Sequence, residues 1–171
     1  MSTVVLSIGS NLGDRLAHLQ SVVDGLRDAV RAVSPVYETD AWGGVEQGPF
    51  LNAVLLADDP ARGARNWLQL AHEFEDGARR VREQHWGPRT LDVDIVCCRD
   101  SHGEVRSDGP TLTLPHPFAH QRAFVLTPWL AADPDAELTL DGRPQPVAQL
   151  LRALDPAERD GVRLTELSLV H

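Results

Sequence analysis

Trp86-Gly87-Pro88-Arg89-Thr90-Leu91-Asp92-Val93-Asp94-Ile95-Val96 is the stretch around which the rest of the chain is organised. Side chains of a strand alternate between faces, so Leu91, Val93 and Ile95 are expected in a core, with Asp92 and Asp94 together on the opposite face. Two carboxylates that close repel unless a cation sits between them, and for an acidic pair beside phosphate groups the usual cation is Mg²⁺. Arg89, just upstream, offers a planar fork for phosphate oxygens. A bare Asp-x-Asp is also the ordinary pattern of a solvated sheet face. The neighbourhood shifts the balance: Arg79, Arg80 and Arg82 precede the pair in a stretch with Gly77, Gly87 and Pro88, which reads as a mobile loop carrying cations toward the carboxylates.

Working outward, 171 residues suffice for one domain with a full core. The net charge of −9 argues against a general nucleic-acid binder, which shows a basic surface. All 16 cationic side chains are arginine, and the absence of lysine excludes a Walker-A loop, a Schiff-base enzyme and a lysine-dependent kinase site. If phosphate is handled here, arginine and metal must do it. The adjacent Cys97 and Cys98 make neither a disulfide framework nor a metal knuckle and read as buried filler in a reducing compartment. No apolar run approaches membrane-spanning length, so a cytoplasmic chain without a membrane partner is expected.

In order along the chain, residues 3–8 read as a buried strand ending at Gly9, followed by a joint into a helix capped by Asp14. Leu16, Leu19, Val23, Leu26 and Val30 recur at helical spacing over 15–30. Residues 33–39, with Pro35 near the start, suit an edge strand, and 40–49 with Trp42 a loop. Residues 50–57 read as a strand with Leu51, Ala53 and Leu55 on one face and Phe50 with Asn52 on the other. A ring beside an amide can stack and hydrogen-bond a flat heterocycle, although each is equally at home as core filler and strand-end hydrogen bonder. Asp59-Pro60 reads as a helix start, with Ala64, Trp67, Leu68, Ala71 and Phe74 on one stripe and Glu73 off it.

Residues 100–110 read as a hairpin tip, 111–114 as a short strand and 122–130 as a helix limited by Pro128. His116 is read as phosphate-facing and His120 as solvated. A hairpin turning at Asp141-Gly142 and a helix over 147–154 follow, and the polar tail after Asp155 has no assignable role. The order strand, helix, strand, strand, helix, strand predicts an α+β fold, a ferredoxin-like split β-α-β-β-α-β sandwich with a C-terminal extension. One domain is expected over 1–171, its core about 1–134 and its extension 135–171, with helices on one face and the other face free for a site.

Gly9-Ser10-Asn11-Leu12, Phe50-Leu51-Asn52-Ala53, the stretch from Trp86 to Ile95, and Leu114-Pro115-His116 followed by Arg122 and Phe124 together resemble the 6-hydroxymethyl-7,8-dihydropterin pyrophosphokinase family of folate biosynthesis. The resemblance implies transfer of pyrophosphate from ATP, as co-substrate, to the hydroxymethyl group of the dihydropterin, with AMP released. It implies that Asp92 and Asp94 hold two Mg²⁺ ions, that Arg89, His116 and Arg122 contact the triphosphate, and that Trp86, Arg80 and Arg82 belong to a loop closing over it. Glu73, Ile95 and Thr113 match positions bordering the nucleotide. Phe50 and Phe124 match a sandwich around the pterin, its edge read by Asn52, Thr39 and backbone near Trp42. The expected partners are these two small molecules, with no nucleic acid, and the expected state is a monomer. Two other classes fit the same residues: a ferredoxin-like module that binds a nucleotide or metabolite without chemistry, and a metal-dependent phosphodiesterase using the Asp pair.

Overall fold

A computed structural model describes residues 2–40, 48–79 and 90–171. The first strand β1 (Ser2–Ser10) leads through Asp14, whose carboxylate accepts the Ala17 N–H at 3.1 Å, into helix α1 (Arg15–Leu26). Strands β2 (Val30–Val33), β3 (Tyr37–Thr39) and β4 (Phe50–Asp59) follow, then helix α2 (Ala64–Arg79) and strand β5 (Asp92–Asp100). Short strands β6 (Gly103–Glu104), β7 (Ser107–Asp108) and β8 (Thr113–Leu114) lead to helix α3 (Ala123–Ala132). The chain closes with the hairpin β9 (Glu137–Leu140) and β10 (Arg143–Pro146), helices α4 (Val147–Ala153) and α5 (Pro156–Asp160), and β11 (Val162–Leu164). The hairpin turns where Asp141 and Gly142 both take positive φ, 51° and 80°, the backbone that a two-residue turn between twisted strands requires.

The main sheet runs β11-β3-β4-β1-β5-β6 with β2 also on β4, and its pairs are antiparallel. Against one face pack α1 and α2, burying Leu6, Ile8, Leu19, Leu51, Trp67 and Leu91 almost completely. Each such side chain contributes about 1.5–3 kcal/mol by leaving water. The opposite face, expected to be free from the split β-α-β order, is partly covered. Val54 and Val96 on it are covered by α3 and α4 through Val125, Leu126, Trp129 and Val147, and only the remainder stays open. Helix α3 carries apolar residues all round, so burying one stripe would not suffice. It lies between sheet and extension, and it runs through Pro128 to Ala132, two residues beyond the expected end.

Four local expectations change. Helix α1 ends at Leu26 and a 3₁₀ turn with Arg27 at φ 53° leads into β2, so Val30 is buried by the sheet and not by the helical stripe. Helix α2 begins at Ala64, not at Asp59-Pro60. Asp59 is still paired with Ser2, and its carboxylate caps a turn by accepting the Ala61 N–H at 2.8 Å and pairing with Arg62 at 2.8 Å. The extended piece over 33–39 is broken at Ser34, whose backbone and hydroxyl both bond β4 at Val54, and Tyr37–Thr39 is no edge because β11 covers it. Gly77 lies in the last turn of α2 rather than in a loop.

The tail after Asp155 is structural. Val162–Leu164 extends the sheet, Leu169 enters the core under α1, and Gln20 exchanges two hydrogen bonds with Val170 at 2.7 and 3.0 Å.

Candidate active site

The register across three strands builds the floor of the site. Asn52 on β4 lies opposite Gly9 on β1, which lies opposite Asp92 on β5, and Ser7 lies opposite Asp94. Directly paired residues share a face, so the carboxylate pair and the Asn52 amide open on the same side, with the bare backbone of Gly9 between them. A Cβ on Gly9 would stand 3.1 Å from Asn52 Oδ1 and 3.6 Å from the Phe50 ring, so glycine here makes the hollow between amide and acids. The result is a cavity of about 710 Å³.

The carboxylates of Asp92 and Asp94 are half-buried at one end of it. At the other end Asn52 Nδ2 donates to Thr39 Oγ1 at 2.7 Å, a buried pair that fixes the amide plane beside Phe50. Asp40, next to Thr39, is tied to Arg163 of β11 at 3.1 Å, and the far end of the same connection is held by Arg15 on the Pro49 carbonyl at 2.9 Å and Asn11 on the Gly48 carbonyl at 3.3 Å.

A bulge on β5 sets the adjoining wall. Its register shifts opposite Val5 and Leu6, so Val96 and Cys97 both pack toward α3 and α4, whereas Ile95 and Cys98 belong to the opposite core. The Val96 carbonyl accepts the His116 N–H at 2.8 Å, which seats His116, just after the cis Leu114–Pro115 bond, beside Asp94. His116 Nδ1 accepts the Phe118 N–H at 3.2 Å, leaving Nε2 as the donor of the neutral ring. Burial holds its pKa below the usual histidine range, Arg122 adds to that, and Asp94 opposes it. The Arg122 guanidinium lies between two rings, 5.5 Å from Phe124 and 5.7 Å from Phe118, which keeps a planar cation at the cavity wall.

Of the residues singled out in the sequence, Thr39, Phe50, Asn52, Asp92, Asp94, His116, Arg122 and Phe124 therefore meet in one cavity. Glu73 lies exposed on α2 with Gln69 donating to it at 3.4 Å, Thr113 is exposed on β8, and the Ile95 side chain points into the core below the sheet; none of the three lines the cavity. Trp42, Arg80, Arg82, Trp86 and Arg89 lie outside the described residues. His120 is half-buried rather than solvated, its Nδ1 enclosed without a hydrogen-bond partner among the described residues. Ser7, Phe118, Gln121 and Glu158 also line the cavity and were not anticipated. Alternation along β1 places Ser7 on the same face as Gly9 and could have found it, whereas no local pattern marks Glu158.

A family model described as 7,8-dihydro-6-hydroxymethylpterin-pyrophosphokinase matches residues 5–134. The chain belongs to this family. It is 61% identical over 169 residues to the 2-amino-4-hydroxy-6-hydroxymethyldihydropteridine pyrophosphokinase of Mycobacterium tuberculosis, covering 96% of this chain and 90% of that one. The protein of the same name from Mycobacterium leprae is 61% identical over 175 residues, covering 99% and 92%. Among solved structures, an HPPK-DHPS of Plasmodium falciparum superposes with a TM-score of 0.62 at 11% identity, over 88% of this chain and 45% of that longer one. At that identity the likeness speaks for the fold. The family and the mixed helix and antiparallel-sheet architecture are thereby shown.

Burial among the α3 and α4 residues pushes the Cys97 thiol up to about 12, and burial in the opposite core raises Cys98. The thiolate is the nucleophile, and a pKa raised this far leaves very little of it at pH 8. Iodoacetamide is expected to leave both cysteines of the native protein unmodified over an hour at pH 8 and to alkylate both in denaturant, as read by mass spectrometry.

Proposed function

We infer that this chain transfers pyrophosphate from ATP to the hydroxymethyl group of 6-hydroxymethyl-7,8-dihydropterin and releases AMP, a step of folate biosynthesis. The observation that carries the reading is the meeting, in one cavity, of an acidic pair with a cationic wall at one end and a ring-and-amide pair at the other. The hydroxymethyl oxygen forms a bond to the β-phosphorus, the bond from that phosphorus to the bridging oxygen of the α-phosphate breaks, and the alcohol proton is released.

The donor set fits Mg²⁺. Two half-buried carboxylates two residues apart supply hard oxygen ligands, and among the described residues no third His, Cys, Asp or Glu completes a cage, so coordination positions stay open for phosphate oxygens. Asp92 and Asp94 would hold two such ions, which would neutralise the phosphate chain and lower the cost of attack. Arg122 and neutral His116 through Nε2 bind phosphate oxygens from the side wall. Phe50 and Phe124 stack the pterin, and the Thr39-Asn52 pair reads its edge. Arg80, Arg82, Trp86 and Arg89 join the nucleotide end in this reading on their sequence motif alone, and so do Glu73, Ile95 and Thr113.

The core reads as a ferredoxin-like split β-α-β-β-α-β unit, a reading supported by the order β3-β4-β1-β5 with α1 and α2 on one face. We read 1–171 as one monomeric cytoplasmic domain with residues 135–171 as its extension; no described helix is long and apolar enough to cross a membrane, and the acidic charge disfavours nucleic acid.

The test is an assay with ATP, Mg²⁺ and hydroxymethyl-dihydropterin that resolves the nucleotide product. AMP formed only with pterin and metal both present is the expected result; ADP, or ATP binding without turnover, would overturn it. Gly9→Ala places a methyl against the Asn52 amide and the Phe50 ring. It is expected to raise the pterin KM about tenfold, below the roughly 10²-fold that a 1 Å misplacement can cost because Asn52 need shift only slightly, with the ATP KM little changed.

A further inference from the structure

Glu158 enters the cavity wall from α5, 35 residues downstream of the group it binds: its Oε1 accepts the Ala123 N–H at 3.2 Å. That N–H opens helix α3, which has no cap of its own. Arg122 at the N-cap position makes no side-chain cap bond and the first turn carries no acidic residue. Ala123 is fully buried, so its amide depends on Glu158 for a partner. Its neighbours in sequence are Arg122 and Phe124, stacked on each other and both lining the cavity.

Glu158 is itself held in a frame. Asp155 caps α5 by accepting the Ala157 N–H at 2.9 Å, and after Gly161 the chain pairs with β3 so that Val162 lies opposite Thr39. One short segment therefore ties the strand carrying Thr39 to the helix turn carrying Phe124.

We propose that Glu158 is a positioning residue for the pterin: by holding the first turn of α3 it sets the Phe124 ring in the wall of the cavity that Phe50 also lines and carries Arg122 with it. The inference rests on the pyrophosphokinase reading. What Glu158 supplies is an acceptor at one place, more than a charge in the neighbourhood. Glu158→Ala removes the acceptor, Glu158→Asp keeps the charge but withdraws it by one methylene, and Glu158→Gln keeps an oxygen at the same reach.

In the full-length protein, steady-state kinetics and a fluorescence titration of hydroxymethyl-dihydropterin in the presence of a non-hydrolysable ATP analogue separate these. E158A and E158D are expected to raise the pterin KM and Kd about tenfold, with kcat changed less, and E158Q to recover most of that loss. Unchanged pterin affinity in folded E158A, wild-type affinity in E158D, or E158Q as impaired as E158A would each overturn the proposal. Should E158A fail to give a cooperative melt, the E158D and E158Q pair decides alone. A wild-type protein that binds the pterin but forms no AMP would strike the functional reading instead, and the affinities would still test Glu158.

Discussion

Asp94→Ala is expected to lower AMP formation by about 10³-fold while leaving the protein folded. Asp94 sits on a strand whose place is set by its backbone pairing with Ser7 and by Val93 and Ile95 in the core, so the carboxylate contributes nothing that the sheet requires. Two like charges on one face also repel, and removing one relieves that, so the melting temperature is expected to stay level or rise slightly. For turnover the sign reverses. Losing one preorganised group that meets transition-state charge costs about 10²–10³-fold, and here half of the acidic pair is lost. Chelation of divalent metal should abolish turnover in the wild type by the same logic. Product assay with a parallel thermal melt checks both halves; turnover within a few-fold of wild type would refute the role of the pair.

Trp67→Ala is expected to give the converse result, a stability loss of about 3–5 kcal/mol, within a total of roughly 5–15 for a folded domain. Trp67 is 1% exposed in the core between α2 and the sheet, and its Nε1 donates to Ser2 Oγ at 2.8 Å. That oxygen in turn donates to the Arg62 carbonyl, and the Arg62 guanidinium stands 5.5 Å from the indole. Truncation therefore opens a cavity and strands a buried hydroxyl contact, both at the end of β1 remote from Gly9 and the cavity. A melting temperature lowered by roughly 10 °C is expected, given about 2–4 °C per kcal/mol at this size. The pterin KM below the transition should be near wild type. Trp67→Phe, which keeps most of the volume, should cost far less. A melt within two or three degrees of wild type for the alanine variant would show that the core does not depend on this ring.

The two variants separate what was legible in the sequence from what was not. Asp92 with Asp94, and Phe50 with Asn52, were readable as same-face pairs because strand alternation is a local rule that needs only the backbone. The helical stripe through Trp67 and Ala71 was readable for the same reason. The boundaries failed where two local rules compete: Asp59-Pro60 caps a turn as readily as a helix, and Val30 satisfies burial equally as the last helical or first strand residue. Periodicity cannot choose between them, because the deciding partners, Ser2 and Ala57, lie on strands remote in sequence.

By itself the sequence determined most of the helices and strands up to about residue 154, the faces on which the Asp92-Asp94 and Phe50-Asn52 pairs stand, and, through its motifs, the family. These follow from side-chain direction and residue chemistry over a few positions. The tertiary structure alone decided that β4, β1 and β5 align Asn52, Gly9 and Asp92 in one row and that α3 and α4 cover part of the face expected to be open. It also decided that the polar tail returns to place Glu158 on the first turn of that helix. The physical reason is that register and coverage minimise exposed apolar surface and unpaired backbone groups over the whole molecule, and no window of the chain contains that sum.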